Sequence, residues 1–172
     1  MNLANKLTIL RIILIPVFLI LISTKIKYGV YLATGVFVIA ALTDSLDGYI
    51  ARSRHQVTTL GKFMDPLADK LLITAALISL TELQKLPAWM VMIIIAREFI
   101  ITGLRSVAAS EGIVISASWW GKLKTTLQII AIIAALIELP YYSILIWIAV
   151  IITLISGIDY IYKNRQVFKF QK

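Results

Sequence analysis

Apolar residues fill long runs of this chain, and short polar stretches separate the runs. Each run approaches the roughly 20 residues that a helix needs to cross the hydrocarbon core of a bilayer, and helix-breaking or charged residues mark the ends. The predicted spans are 7–23, 28–50, 63–80, 87–107, 119–137 and 141–161. The pattern therefore predicts an all-α integral membrane protein with six transmembrane helices, in a single domain over residues 1–172.

The overall composition is that of a membrane protein. Of the 172 residues, 60% are hydrophobic, and the mean hydropathy is +0.91, whereas an ordinary soluble domain is about 45–50% apolar. The chain has no cysteine and one histidine, His55, in a polar loop. Thiolate and histidine clusters are therefore excluded as metal ligands or nucleophiles, and any metal site must use oxygen atoms.

Basic residues concentrate at one end of the predicted helices. Of the seventeen lysines and arginines, fourteen fall on the side of the two chain termini, and only Lys25, Lys27 and Lys85 fall on the other side. Cytoplasmic loops collect Lys and Arg, so we expect both termini and the segment DSLDGYIARS at the cytoplasmic face. There the net charge of +8 can meet anionic lipid headgroups or an anionic substrate. No basic stripe stands outside the membrane, so nucleic acid is not an expected partner.

Four acidic residues cluster at the predicted cytoplasmic ends of the second and third helices. Asp44 and Asp47 are three residues apart, and Asp65 and Asp69 are four apart, so each pair shares one face of its helix. A loop of about ten residues joins the two predicted spans, which lets the pairs face each other. An all-oxygen site of this kind selects hard cations such as Mg²⁺, Mn²⁺ or Ca²⁺. Four carboxylates match two divalent ions, an arrangement used for chemistry at phosphorus.

Alternative roles for the four aspartates stay open at the level of sequence. The acids could form ion pairs with Arg52, Lys62 and Lys70, because intramembrane acids usually have basic partners. A divalent-cation transporter would also carry acids, but at mid-membrane depth rather than at helix ends, and a structural scaffold would not need them. The neighbouring Gly48 and Gly61 favour a site in which a ligand approaches the backbone closely.

The residues around the aspartates match a known signature. The pattern D-x2-D-G-x2-A-R-x8-G-x3-D-x3-D is met at every fixed position, by Asp44, Asp47, Gly48, Ala51, Arg52, Gly61, Asp65 and Asp69. Eight such positions agree by chance on the order of once in a billion windows, for residue frequencies near one in fifteen. On this pattern the chain resembles the CDP-alcohol phosphotransferases.

Further stretches are similar to one bacterial branch of that family. They are NKLTILRIILIP, FMDPLADKLL, AREFIITGLRS and SWWGKLKTTLQ. The resemblance implies a six-helix membrane enzyme of the bacterial plasma membrane, a homodimer whose active site opens to the cytoplasm. The implied reaction transfers the phosphatidyl group of CDP-diacylglycerol to sn-glycerol 3-phosphate, which yields phosphatidylglycerophosphate and CMP in phospholipid biosynthesis. Sister enzymes that use serine, inositol phosphate or phosphatidylglycerol as acceptor share the aspartate site, so the acceptor stays open.

The resemblance also assigns roles to individual residues. Two divalent cations, Mg²⁺ with Mn²⁺ as the alternative, are expected at Asp44, Asp47 and Asp65. Asp69 is expected near the second cation and as the general base. The CDP group is expected to contact Asn5, Thr8, Arg11, Gly48, Ala51, Arg52 and Gly61. For Thr8, a hydroxyl bonded within its own helix is the alternative.

The phosphate of the acceptor needs cations of its own. Arg105, Lys122 and Lys124 lie at the predicted cytoplasmic ends of the fourth and fifth helices, and Arg97 lies two turns deeper than Arg105. Arginine binds phosphate in a bidentate manner, and lysine supplies a point charge. We predict a phosphate pocket from Arg105, Lys122 and Lys124, with Arg97 as a further candidate. Structural pairing of Arg97 with Glu98 is the alternative for that residue.

Overall fold

The computed structural model of the chain describes residues 3–24, 26–53, 59–110, 112 and 119–165. Within them, the side chains of 3–4, 44–53, 59–63 and 65 lie outside the described residues. The described part forms six helices: α1 Leu3–Ser23, α2 Gly29–Ser53, α3 Thr59–Glu82, α4 Ala88–Ser110, α5 Trp119–Leu136 and α6 Tyr142–Lys163. The prediction of an all-α chain is confirmed for this part of the protein.

Some helices extend beyond the apolar runs that predicted them. Helix α1 begins at Leu3 rather than at Leu7, and α3 begins at Thr59 rather than at Phe63. Hydropathy marks the part of a helix that suits lipid, whereas backbone hydrogen bonding continues through polar residues at its ends. The additional turns matter because they carry Asn5 and Gly61 of the predicted site.

Contacts divide the chain into two units. The first consists of Met1–Lys85 with Leu136–Glu138, and the second of Leu86–Ala135 with Leu139–Lys172. The first unit therefore contains α1, α2 and α3, and the second contains α4, α6 and nearly all of α5. A single catalytic domain over residues 1–172 stays a prediction.

The core of the first unit is apolar at the end that contains the turn between α1 and α2. Helix α1 packs against α2 and α3, which also contact each other. On α1 the side chains of Ile15, Phe18 and Ile22 are buried, at the spacing of one helix face. The rings of Phe18 and Phe37, the latter on α2, have centroids 6.0 Å apart. Apolar packing thus fixes the position of α1 against α2 at this end.

The turn between α1 and α2 brings backbone groups close to Gly29. A Cβ atom at Gly29 would lie 2.7 Å from the carbonyl oxygen of Leu21. We expect Gly29→Ala to lower the free energy of unfolding by about 1–3 kcal/mol, because the backbone must shift to admit the methyl group. At Gly35, on the same helix, a Cβ atom meets nothing within 4 Å. Gly35→Ala should therefore stabilise the protein by about 0.5–1 kcal/mol through helix propensity.

Thermal unfolding of both variants in detergent checks that the two substitutions change the stability in opposite directions. A Gly29→Ala protein as stable as the wild type would contradict the close backbone contact.

In the second unit, α4 packs against α6. The rings of Trp89 and Trp147 have centroids 5.6 Å apart. A second contact, Arg97 to Ser156, lies further along both helices in the same direction, so α4 and α6 run parallel. Helix α5 is joined to α6 by a polar contact, because Nε2 of the buried Gln128 donates to Oγ1 of Thr153 at 2.9 Å.

The distribution of side chains suits lipid rather than water. Polar residues such as Arg11 and Ser156 are fully buried, while Ile20, Met92 and Ile158 are largely exposed. Among the described residues, the helical segments Asn5–Ser23 and Tyr142–Lys163 are long and apolar enough to cross a membrane. Such helices are typical of a membrane protein.

Candidate functional site

One end of the first unit has a polar interior. The buried stripe of α1 continues from Ile15 through Arg11, Thr8 and Asn5, which are only 0%, 2% and 8% exposed. Burial of a charged or polar side chain is unfavourable unless the group has partners, and each of these three has an interaction partner. Three of the residues expected to contact the nucleotide thus share one buried helix face.

Helix α2 has a buried apolar face on the turns that precede Asp44. Ala33, Phe37 and Ala40 are fully buried, at spacings of four and three residues. The same alternation continues to Asp44 and Asp47, whose side chains lie outside the described residues. Helical geometry places these two backbone positions on the same side of α2 as Ala33, Phe37 and Ala40.

Helix α3 also has a buried apolar face, and here the predicted acids precede the apolar positions along the chain. Leu80, Ala76 and Leu72 are buried, one turn apart. Asp69 lies three residues before Leu72, is half-buried and has an interaction partner. The position of Asp65 follows one further turn along, and its side chain lies outside the described residues. The stripe again leads from an apolar core to the predicted acids.

The helix bounds place the four aspartate positions at two levels. Helices α2 and α3 are in contact and are joined by only the five residues 54–58, so they run antiparallel. Asp47 lies six residues before the end of α2, and Asp65 lies six residues after the start of α3. Asp44 and Asp69 lie nine and ten residues from the same ends. At a rise of about 1.5 Å per residue, each couple is nearly level.

The polar residues of α1 reach the same two levels. Asn5 lies eighteen residues before the end of α1, and Asp47 lies eighteen residues after the start of α2. For Thr8 and Asp44 the corresponding offset is fifteen residues. Helices α1 and α3 both run antiparallel to α2, which brings the expected nucleotide and metal positions to one end of the first unit. The remaining expected nucleotide contacts lie outside the described side chains: Gly48, Ala51, Arg52 and Gly61.

The residues predicted for the acceptor phosphate lie in the second unit and differ in exposure. Arg105 and Lys122 are exposed, whereas Lys124 is buried and Arg97 is half-buried. Lys124 Nζ and Arg97 Nη1 both donate to the same oxygen, Oε1 of Glu98. The structure thus joins Arg97 and Lys124 through a shared carboxylate. The pairing of Arg97 with Glu98, an alternative from the sequence, is present.

Helix α6 supplies residues that the sequence pattern did not indicate. Arg97 Nη2 donates to Oγ of the fully buried Ser156 at 2.6 Å. A Cβ atom at Gly157 would lie 3.1 Å from Cγ of Arg97, so the absence of a side chain there makes room for the arginine. One turn further along lies the buried Tyr160. These partners are 59 or more residues from Arg97 in sequence, so no local spacing indicates them.

The chain belongs to the CDP-alcohol phosphatidyltransferase family, because the model of that family matches residues 1–155. The family predicted from the aspartate spacing is therefore confirmed. A relative from Bacillus subtilis (strain 168), named CDP-diacylglycerol--glycerol-3-phosphate 3-phosphatidyltransferase, is 44% identical, over 98% of this chain and 97% of its own. Relatives of the same name from Haemophilus influenzae and Rickettsia typhi are 42% and 38% identical, over 93% and 92% of this chain and 91% and 94% of their own.

Proposed function

We propose that this chain transfers the phosphatidyl group of CDP-diacylglycerol to sn-glycerol 3-phosphate, which yields phosphatidylglycerophosphate and CMP. The observation that carries the proposal is the match, over more than nine-tenths of the chain, to relatives named for this reaction. The complete aspartate signature adds support. The product places the enzyme in phospholipid biosynthesis.

The donor set at the polar end of the first unit suits divalent cations. Asp44, Asp47, Asp65 and Asp69 offer only oxygen ligands, which hard cations prefer, and the family is generally dependent on divalent cations. We assign two Mg²⁺ ions to these residues, with Mn²⁺ as the alternative metal. When bound, the ions supply neutralisation of the charge on the diphosphate oxygens and on the departing CMP.

The chain's own residues hold the reactants and move one proton. Asp69 accepts the proton of the attacking hydroxyl, which then forms a bond to the phosphatidyl phosphorus as the bond to the CMP oxygen breaks. Asn5, Thr8 and Arg11 hold the CDP group together with the positions outside the described side chains: Gly48, Ala51, Arg52 and Gly61. The burial of the α1 residues supports this role, because a buried polar stripe can fix the orientation of a polar ligand.

The acceptor phosphate is assigned to the cations of the second unit. Lys124 and Arg97 are held by Glu98, while Arg105 and Lys122 are exposed and able to approach an anion. Serine is a zwitterion without net charge, so this excess of positive charge attracts it less than it attracts a phosphate dianion. The charge of these residues therefore supports a phosphate-bearing acceptor.

All six helices are proposed to span a bacterial plasma membrane, with both termini and the active site at the cytoplasmic face, in a homodimer. The excess of basic residues at that end supports the orientation. The exposed apolar side chains of both units support contact with lipid or with a second copy. A lipid substrate such as CDP-diacylglycerol also needs an enzyme that it can reach from within the bilayer.

The assignment is tested by following CMP release from CDP-diacylglycerol with purified full-length protein, Mg²⁺ and one acceptor at a time. We expect release with sn-glycerol 3-phosphate. Release only with serine, inositol phosphate or phosphatidylglycerol would reassign the acceptor. No release with any of them, together with Mg²⁺ flux into vesicles, would replace the proposal with a cation transporter.

Removal of divalent cations is expected to stop the reaction. Without the cations the diphosphate charge is not neutralised, so CMP release in excess EDTA should fall below detection. Addition of Mg²⁺ or Mn²⁺ beyond the chelator should restore it, whereas Na⁺ at equal ionic strength should not. Turnover that persists in EDTA would contradict the assigned role of the aspartates.

A further inference from the structure

Helix α6 carries a continuous row of exposed apolar side chains. Five isoleucines recur at spacings of four and three residues, and each is 39–68% exposed: Ile144, Ile148, Ile151, Ile155 and Ile158. This spacing places them along one side of the helix. Exposed tyrosines continue the row at both ends, with Tyr141 78% and Tyr162 69% exposed. We call these five isoleucines the isoleucine row.

The distance between the two tyrosines matches the thickness of a bilayer. Tyr141 and Tyr162 are 21 positions apart in the sequence, which corresponds to about 31 Å along a helix axis at about 1.5 Å per residue. The hydrocarbon core of a bilayer is about 30 Å thick, and tyrosine rings favour its two boundaries. The isoleucine row therefore has the dimensions of a surface that contacts lipid, with Tyr162 at the boundary nearer the C-terminus.

The sizes of the side chains on α6 favour lipid over a second helix as the partner of the row. Helices that pack together in a membrane have small residues at their contact, because small residues let the backbones approach closely. The buried side of α6 includes such residues: Ala149, Thr153, Ser156 and Gly157. The exposed row consists of isoleucines instead. Acyl chains, which need no close approach of two backbones, are the better match for it.

A cation lies at the end of the row. The guanidinium carbon of Arg165 is 5.3 Å from the centroid of the Tyr162 ring. Stacking on a ring holds a guanidinium in place and leaves the N–H donors at its edge available. Among the described side chains no carboxylate forms an ion pair with Arg165, whereas Lys163 is paired with Asp159 at 2.9 Å. Arg165 can therefore bind an anion at the level of the lipid headgroups.

We propose that the end of the isoleucine row nearest Arg165 is a docking surface for an anionic phospholipid. An acyl chain lies along Ile151, Ile155 and Ile158, and the phosphate of the headgroup accepts hydrogen bonds from Arg165. Ile158 and Arg165 are seven residues apart, or about 10 Å, so one lipid can contact both. An anionic lipid is preferred to a zwitterionic one, because the ammonium group of a zwitterionic headgroup offsets the attraction of its phosphate.

A fluorophore on the row tests this proposal in the full-length protein. The chain contains no cysteine, so Ile158→Cys provides a single position for the label. The labelled protein is reconstituted in phosphatidylcholine with increasing amounts of dibrominated phosphatidylcholine or dibrominated phosphatidylglycerol, whose bromine atoms quench a fluorophore that they contact. The quenching curves give the relative association constants of the two lipids at this position. We expect a preference of about fivefold for phosphatidylglycerol, the contribution of one arginine near a membrane surface.

Two substitutions in the labelled protein identify the source of that preference. Arg165→Gln should lower it to about one, because the cation is lost. Lys27→Gln is the matched control, since Lys27 Nζ lies 5.7 Å from the centroid of the Tyr28 ring. It removes a similar pair of a cation and an aromatic ring from the first unit, so the preference at residue 158 should not change.

Several outcomes would overturn the proposal. Equal association constants for the two lipids would show that the surface does not select a charged headgroup. A preference that survives in Arg165→Gln would remove Arg165 as its source. Quenching by neither lipid, together with self-quenching between the labels of two copies, would assign the row to a second copy of the chain. The measurement requires no CMP release, so its result and that of the acceptor experiment are independent.

Discussion

Asp69→Asn is expected to lower kcat for phosphatidyl transfer by about 10²–10⁴-fold, the contribution typical of a general base. Asparagine has nearly the same shape as aspartate but cannot take the proton of the acceptor hydroxyl. The half-buried position of Asp69, on the inner stripe of α3, leaves room for an isosteric side chain. CMP release at saturating Mg²⁺ and acceptor measures the effect, and CDP-diacylglycerol should still bind within several-fold of its wild-type affinity.

Asp159→Asn is the matched control for this experiment. Asp159 is also half-buried, on α6, and forms an ion pair with Lys163 at 2.9 Å. Its replacement should leave kcat within about twofold, because a partly exposed pair contributes little. Full activity of Asp69→Asn would remove Asp69 as the base. A large loss in both variants would show that the substitutions act through the fold instead.

Glu98→Gln is expected to lower the free energy of unfolding by about 3–5 kcal/mol, as is typical when one partner of a buried ion pair is removed. Arg97 and Lys124 share this carboxylate, and the side chains of Glu98 and Lys124 are 17% and 6% exposed. Glutamine removes the negative charge that Arg97 and Lys124 share. Thermal or denaturant unfolding in detergent measures the loss.

Two further variants define the origin of that loss. Glu138→Gln removes a carboxylate that is 71% exposed and pairs with Lys85 at 3.0 Å, so the loss should stay below about 1 kcal/mol. Adding Lys124→Met to Glu98→Gln should restore part of the stability, because one of the two cations that had shared the lost carboxylate is removed. If Glu98→Gln were no less stable than Glu138→Gln, the buried carboxylate would not hold the two cations.

Much of the first unit was predictable because its signals are local. Asp44 and Asp47 follow the buried positions of their own helix at spacings of three and four residues, and Asp69 does the same on α3. A helix repeats every 3.6 residues, so spacing within one helix determines which positions share a face. Short connections then make neighbouring helices antiparallel. The aspartates of α2 and α3 lie nearly equal numbers of residues from the connection, so their backbone positions are at matching levels.

The second unit was less predictable because its contacts join distant segments. Lys124 and Glu98 are 26 residues apart, and Arg97 and Ser156 are 59 apart. The positive-inside rule predicts a lysine at this helix end equally well, so the sequence could not tell a paired cation from a solvated one. Whether the Arg97 Nε–H group and the Tyr160 hydroxyl find hydrogen-bond partners depends on which side chains surround them, and sequence spacing does not contain that information.

By itself, the sequence determined the helices, the family and the spacing of the acids, because helix periodicity acts over a few residues and the signature occupies one continuous stretch, residues 44–69. Only the tertiary structure decided that Glu98 joins Arg97 to Lys124, that Ser156 and Gly157 accommodate the arginine, and that Tyr160 is buried. Those features depend on the packing of α4, α5 and α6. Such packing reflects the shapes of many side chains at once, so it is a property of the folded unit rather than of any single segment.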